Sequence, residues 1–337
     1  MSMKKYLTGI RLFSLILLCA CLALVWKISL QQLHTAEPLP RAQRQLVTVW
    51  IYGDRLGASP WVREQTAAYQ KAHPGASIWV RTASGADMDA LDADFPHTAP
   101  DLLLFMAGEE VKPEWLEELS FCRDSTGQYA GRQLAVPVCM AGYALVRASK
   151  EASTPAPTSL FGVTPAPAKT AAATPVPREK WPQNTVTDDR FGAWLLLQLG
   201  ITGEILPEEQ AMEAFLQGKA ESVLLSTLAL RKLSARGMGM EVLSSADQTD
   251  LVLYGAAMRE SSAEARAFLT FLCSSDAQQQ LADAGLISPH GGRLYGAGTP
   301  ILQSTEQALQ KNGLVNAFDW QNQAQSTFMT GQAMQGN

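Results

Sequence analysis

The sequence predicts an α/β protein of two sheet-and-helix halves behind one N-terminal apolar segment, and three observations predict it. From residue 46 onward, β-branched apolar runs alternate with amphipathic stretches in the order strand, helix, strand, helix, strand. The length, 337 residues, suits two domains or one two-lobed body. A single stretch, Leu12 to Trp26, is apolar throughout except for Ser14, and no other segment approaches it.

The apolar segment sets the expected compartment. Lys4, Lys5 and Arg11 precede it, and Lys27 ends it. This excess of positive charge on the N-terminal side keeps that end in the cytoplasm and sends the body across the membrane. Fifteen residues span only about 22 Å as a helix, against a hydrocarbon core of about 30 Å. Adding Ile28 to Leu30, with Lys27 reaching toward the headgroups, brings the segment closer to spanning. An uncleaved signal anchor is therefore the first reading. Lipidation at Cys21 is the second, because Leu18-Cys19-Ala20-Cys21 is similar to a bacterial lipobox. Cleavage after Ala23 comes third, since Leu-Val-Trp follows it. Residues 31–45 read as a polar linker. The expected location is the bacterial cell membrane, with the body on the extracytoplasmic side.

The body opens with Leu46 to Tyr52, a β-branched and aromatic strand punctuated by Gly53-Asp54. Ser59-Pro60 reads as an N-cap followed by proline in the first turn, starting a helix that runs from Trp61 to Ala72 and stops before His73-Pro74-Gly75. A strand at Ser77–Arg81, a short helix over 86–94 and the strand Leu102–Phe105 complete a pattern that implies a parallel sheet with helices on both faces. Ligands of such sheets sit beyond the carboxyl ends of the strands. That rule points to Tyr52–Asp54 and Phe105–Gly108.

Gln133 to Arg147 reads as a further strand region with Gly142 and Tyr143 in its middle. Residues 149–182 are rich in Pro, Ala and Thr, with Thr-Pro-Ala-Pro at both 154–157 and 164–167, and read as an exposed extended loop. Order resumes at Asp188. Helices are expected at Phe191–Leu199, from Pro207 to Gln217 and at Leu228–Ala235. They are also expected at Ala263–Cys273 capped by Ser262, at Asp276–Ala284, at Pro300–Lys311 and at Trp320–Thr330. Short strands are expected at Val223–Leu225, Glu241–Leu243 and Leu251–Tyr254.

Composition and motifs exclude several function classes. The net charge is −5, from 27 basic and 32 acidic residues, with no basic block in the body, so no nucleic-acid partner is expected. The four histidines, His34, His73, His97 and His290, have no metal-ligand spacing. No nucleophile elbow, P-loop or dinucleotide fingerprint is present. Paired acids such as Glu109-Glu110, Glu117-Glu118 and Glu208-Glu209 read as solvated surface. No enzyme activity, metal or cofactor is expected. Of the five cysteines, Cys122 and Cys139 stand 17 residues apart and suit an extracellular pair; three buried or unpaired thiols is the plainer reading.

Several stretches carry a family likeness. They are Val47-Thr48-Val49-Trp50 with the helix end Tyr69-Gln70-Lys71-Ala72-His73-Pro74-Gly75, then Pro100-Asp101-Leu102-Leu103, then Leu134-Ala135-Val136-Pro137 with Gly142-Tyr143-Ala144-Leu145. Ala214-Phe215-Leu216-Gln217-Gly218-Lys219-Ala220 and the block Ala265 to Pro289 continue it. In their order and spacing these resemble the bacterial extracellular solute-binding proteins that include the maltodextrin-binding type. The resemblance implies a two-lobed, periplasmic-binding-protein-like (type II) fold with a hinge. It implies capture of a small solute, carbohydrate first and peptide second, by a monomer that serves an ABC-type permease. The chain departs from the family after the crossing strand. There the Pro/Ala/Thr stretch stands in place of a helix, with Pro157-Thr158-Ser159-Leu160 alone similar to it, so the second lobe reads as reduced. The alternative function is a degenerate, anchored solute-binding-like domain acting as sensor or scaffold in an envelope complex.

The expected organisation is 1–30 signal anchor or lipoprotein signal, 31–45 linker, 46–140 first lobe, 141–250 reduced second lobe, 251–295 return to the first lobe and 296–337 C-terminal helices. Pockets combine apolar walls with a few placed polar groups. The ligand-binding candidates are Tyr52 and Asp54 after the first strand, Met106 and Glu109 after the third, and Met140 and Tyr143 at the crossing. Trp194, Ser226 and Thr227 complete them in the second lobe. Core packing competes for Trp194, and helix capping for Ser226 and Thr227.

Overall fold

The computed structural model describes residues 45–95, 98–121, 125–149, 182, 184–290, 300–312 and 314–318. The described residues from Leu46 onward belong to one compact unit. The apolar segment with Cys19 and Cys21, the linker up to residue 44, Cys122, the Pro/Ala/Thr-rich stretch between Ser149 and Pro182, and the helix expected at Trp320–Thr330 lie outside the described residues. Among the described residues no helix is long and apolar enough to cross a membrane.

The first sheet contains β1 (Gln45–Tyr52), β2 (Ala76–Ala83), β3 (Leu102–Met106), β6 (Val136–Met140) and β12 (Val252–Ala257), in the order β2-β1-β3-β12-β6. β1 and β3 pair in parallel, Val49 against Leu102 and Ile51 against Leu104. The period of two in these strands serves two apolar faces. Val47, Val49, Ile51, Leu102, Leu104 and Met106 enter one core cluster, while Trp50, Leu103 and Phe105 enter another. Helices α1 (Ser59–Ala72) and α6 (Ala263–Leu272) cover the first face through Trp61, Val62, Tyr69, Phe268 and Leu269. Helix α2 (Gly85–Ala93) covers the other through Met88 and Leu91.

The parallel pairing expected among the first strands holds for β1 and β3, while the later strand β12 runs antiparallel to both β3 and β6. The cause is connectivity. The chain leaves this sheet at the carboxyl ends of its parallel strands, so the strand that brings it back enters at that end and points the other way.

The second sheet contains β7 (Tyr143–Ala148), β8 (Thr185–Thr187), β9 (Gly203–Ile205), β10 (Ser222–Ser226) and β11 (Met240–Ser245), in the order β11-β7-β10-β8-β9. Its helices are α3 (Arg190–Gln198), α4 (Glu208–Leu216) and α5 (Thr227–Ala235). Val146, Val186, Val223 and Leu225 pack with Met212, Phe215 and Leu230 from α4 and α5 on one face. On the other face Tyr143, Leu145 and Leu224 join Leu195 and Leu196 of α3, in a cluster continuous with the core of the first sheet. β8 and β9 have three residues each, too short for a periodic signal, and the sequence reading missed them. It also missed the small hairpin β4 (Gln128–Tyr129) and β5 (Arg132–Gln133), whose turn places Ala130 and Gly131 at positive φ of 49° and 80°.

Two further boundaries differ. Ser59 lies inside α1 rather than capping it. Asp54 instead accepts from Ala58 N at 2.8 Å and Ser59 N at 2.9 Å, and a charged carboxylate outcompetes a hydroxyl for those amides. The helix expected over Asp276–Ala284 is α7 (Ser275–Gln279) followed by a 3-10 turn at Gln280–Ala282. Buried Gln278 tethers it there, donating to Val138 O and Leu272 O, each at 2.8 Å.

The chain passes between the sheets at Ala141–Gly142 and again over residues 246–251, and these crossings run side by side. Ala141 N donates to Leu251 O at 2.9 Å, Thr249 Oγ1 donates to Ala141 O at 2.7 Å, and Ala246 N donates to Tyr143 O at 2.9 Å. Helix α8 (Pro300–Asn312) packs against them, with Thr305 and Leu309 beside Gly142. Leu302 and Leu309 of α8 join the first sheet's second cluster, and Ile301 joins the core of the second sheet.

Candidate functional site

The strand tips of the two sheets meet around one phenol. Tyr143, the first residue of β7, is fully buried. Its hydroxyl lies 2.6 Å from Asp189 Oδ2 and 3.2 Å from Asp250 Oδ1. A phenol carries one proton, so the shorter contact is its donation to Asp189. Asp250, on the returning crossing, accepts through Oδ2 from Arg55 Nη1 at 3.1 Å. Arg55 follows β1, and its Nη2 donates to Ala107 O after β3 at 3.1 Å. Tips of β1 and β3, the return crossing, β7 and the start of α3 are thus joined by one polar network.

Local chemistry explains each placement. Gly53 turns the chain after β1 at φ 68°, where a side chain is strained, and a Cβ there would stand 2.5 Å from Glu109 Oε1. Asp54 then holds the start of α1 and receives the Ser59 hydroxyl at 2.5 Å. Asp189 is the N-cap of α3, accepting from Gly192 N at 2.5 Å.

The electrostatics are dominated by burial and crowded acids. Burial, then Asp250, Asp189 and Asp188, push the Tyr143 phenol well above the usual tyrosine range. Burial, then the neighbouring Asp189, push Asp188 up to about 7. Asp250 is raised by burial, against which the Arg55 guanidinium works. Asp188 Oδ1, Thr187 Oγ1 and Thr227 Oγ1 are buried with no hydrogen-bond partner. Among the described residues no three His, Cys, Asp or Glu side chains are grouped to hold a metal ion.

The sequence-derived candidates divide between this network, the cores and the helix caps. Tyr143 is at the centre of the network, and Asp54 directly precedes Arg55. Tyr52 is partly buried, its hydroxyl raised first by burial and then by Glu109. Glu109 lies over Gly53. Met106 and Met140 are sealed in the core, 0% and 2% exposed. Trp194 is partly buried on α3, its ring 5.3 Å from Phe191, which stands 5.5 Å from Tyr143. Ser226 caps α5, accepting from Ala229 N at 3.2 Å, and the Thr227 amide donates to Gly142 O at 2.8 Å. Arg55, Asp188, Asp189 and Asp250 were missed. A capping signal was available for Asp189, an acid directly before an apolar helix. Asp250 and Arg55 are 195 residues apart in sequence and had none. Cys139 is a fully buried free thiol.

No protein-family model and no curated protein matches the chain. Solved structures do. The chain is similar to the PBP AttC of Agrobacterium tumefaciens in an open unliganded conformation, at 14% identity and a TM-score of 0.58, over 86% of this chain and 98% of that one. It is similar to a maltodextrin binding protein from L. casei without ligand, at 11% identity and a TM-score of 0.54, over 87% and 92%. It is also similar to an extracellular solute-binding protein family 1 member from Alicyclobacillus acidocaldarius, at 14% identity and a TM-score of 0.53, over 86% and 97%. At these identities the likeness is one of fold. The chain has the mixed α/β fold of the extracellular solute-binding proteins, as the motif resemblance implies.

Proposed function

We propose that this chain captures a small solute on the extracytoplasmic side of a bacterial membrane and delivers it to an ABC-type importer. In this reading the body is a monomer of the type II two-lobed kind, with lobes at 46–140 plus 251–295 and at 141–250, hinged at the paired crossings. The N-terminal segment holds it to the membrane as an anchor or through a lipid on Cys21. The observation that supports the reading best is the meeting of polar groups from both sheets, Arg55 and Asp250 with Tyr143 and Asp189, beside those crossings. A solute held between two such halves touches both and favours their closed arrangement. The partly buried rings of Phe191 and Trp194 beside this network, with Tyr52 at the end of β1, support a carbohydrate first, with a peptide second.

The test is a thermal-shift screen of the full-length protein in detergent over sugars, polyols and short peptides. A ligand at 100 times its Kd stabilises by about 2.7 kcal/mol, a shift of several degrees. A screen with no hit overturns the reading.

A second reading has its own observation. Tyr143, Met106 and Met140 are sealed from solvent, and Arg55 already pairs with Asp250. These contacts suit a degenerate binding domain, closed on its own side chains and acting as a sensor or scaffold. It expects a flat ligand screen and crosslinking to a membrane partner; solute-dependent uptake through a recovered permease would refute it.

A further inference from the structure

We infer, building on the receptor reading, that the start of helix α3 is a subsite for a protonated nitrogen on the solute, held by Asp189 and Thr187 beside the rings of Phe191 and Trp194. Charge is the first reason. Asp188, Asp189 and Asp250 all bear on the Tyr143 phenol. Among the described residues the cation hydrogen-bonded into this group is Arg55, spent on Asp250 and Ala107 O, while Lys232 acts on Asp188 without a hydrogen bond to it. The N-terminus of α3 adds roughly half a positive charge. With Asp250 paired to Arg55 and Asp188 about half protonated near pH 7, the Asp189 carboxylate is left to outweigh that half charge, so a cationic group on a ligand is attracted and a carboxylate is repelled.

The second reason is independent of charge. Thr187 Oγ1 is fully buried and has no hydrogen-bond partner. Buried hydroxyls are nearly always paired, because an unpaired one forfeits its bond to water. This oxygen is directed at Gly192 in the first turn of α3, on the side where Asp189 Oδ1 lies. A Cβ placed on Gly192 would overlap Thr187 Oγ1 and stand 3.1 Å from Asp189 Oδ1. Gly192 therefore leaves the two acceptors side by side at the first turn of α3. An ammonium offers three N–H donors and a guanidinium five, enough to satisfy both acceptors at once.

The third reason is the wall. Phe191 stands 5.5 Å from Tyr143 and 5.3 Å from Trp194, centroid to centroid, and both Phe191 and Trp194 are only partly buried. Ring faces attract ammonium and guanidinium groups. Among the described residues the acids are not grouped in threes to hold a metal ion, and the ring wall suits an organic cation. Amino sugars, diamines and the basic groups of peptides share this chemistry.

Isothermal titration calorimetry on the full-length protein in detergent tests the subsite. Glucosamine, putrescine and arginine are the cationic probes; N-acetylglucosamine and maltose are the neutral ones. At least one cationic probe is expected to bind, with glucosamine at least tenfold tighter than N-acetylglucosamine if the source is a sugar (about one charge-assisted hydrogen bond). Asp189→Asn keeps the helix cap and removes the charge, so it should weaken the cationic probe by about tenfold or more. Thr187→Val removes an unpartnered hydroxyl, so it should weaken the cationic probe while leaving the melting temperature of the free protein undiminished. Neutral sugars binding as tightly as cationic probes would overturn the subsite alone, as would cationic binding unchanged in both variants. Silence from every probe, neutral ones included, would instead overturn the receptor reading beneath it.

Discussion

Replacing Asp188 by Asn should stabilise the protein at neutral pH and flatten its pH dependence. The side chain is partly buried, its Oδ1 has no partner, and burial followed by Asp189 moves its pKa from 3.8 to about 7. A carboxyl with a raised folded-state pKa binds more protons folded than unfolded between those two values. Its contribution to stability is therefore complete below the unfolded pKa and is lost as pH rises through the window to about 7. Three pH units at about 1.4 kcal/mol each give a ceiling of about 4 kcal/mol. Water reaches part of the group, and screening brings the expected loss to about 2 kcal/mol. The Asp188→Asn protein is neutral at this position at every pH and escapes the loss. Urea denaturation of both proteins at pH 5 and pH 8 measures it. They should agree within about 1 kcal/mol at pH 5 and separate by about 2 kcal/mol at pH 8, the variant being the more stable. A variant that loses as much stability as the parent between these pH values, or is the weaker at pH 8, would refute the electrostatic reasoning.

Tyr143→Phe removes the hydroxyl held between Asp189 and Asp250, and should cost about 2 kcal/mol in urea denaturation, since a buried charged acceptor loses its donor. Gly192→Ala drives a methyl into Thr187 Oγ1 at the start of α3, and a loss of about 1–3 kcal/mol is expected; an unchanged melting temperature would contradict the packing described. Asp54→Ala takes three hydrogen bonds from the first turn of α1 and should cost about 1–2 kcal/mol, with Asp54→Asn costing less, both read by circular-dichroism melts.

Much of the fold was legible because local patterns carry it. The period of two in β1 and the apolar run of β3 mark strands buried on both faces. Pro60 near the start of α1 and His73-Pro74-Gly75 beyond its end bracket the helix, and Ser262 caps α6 by accepting from Ala265 N. What escaped was either short or non-local. β8 and β9 hold three residues each. The antiparallel course of β12 follows from where the chain comes back, which no run of five residues can encode. Within the site, Tyr143 stood out as an aromatic beside a glycine in an apolar run. Met106 and Met140 carried the same positional logic as Tyr52, yet lie inward because their strands are covered on both faces.

The sequence by itself determined the alternation of strands and helices, the caps and turns that bound them, and the family likeness that spans Val47 to Pro289. These depend on neighbours within a few residues, where backbone geometry and hydrophobic period act directly. Tertiary structure alone decided that Arg55, Tyr143, Asp189 and Asp250 share one polar network around a buried phenol. Each has an ordinary setting in the chain. They meet only when the two crossings lie side by side and bring the tips of separate sheets within hydrogen-bonding distance, where low dielectric and mutual repulsion perturb otherwise common acids.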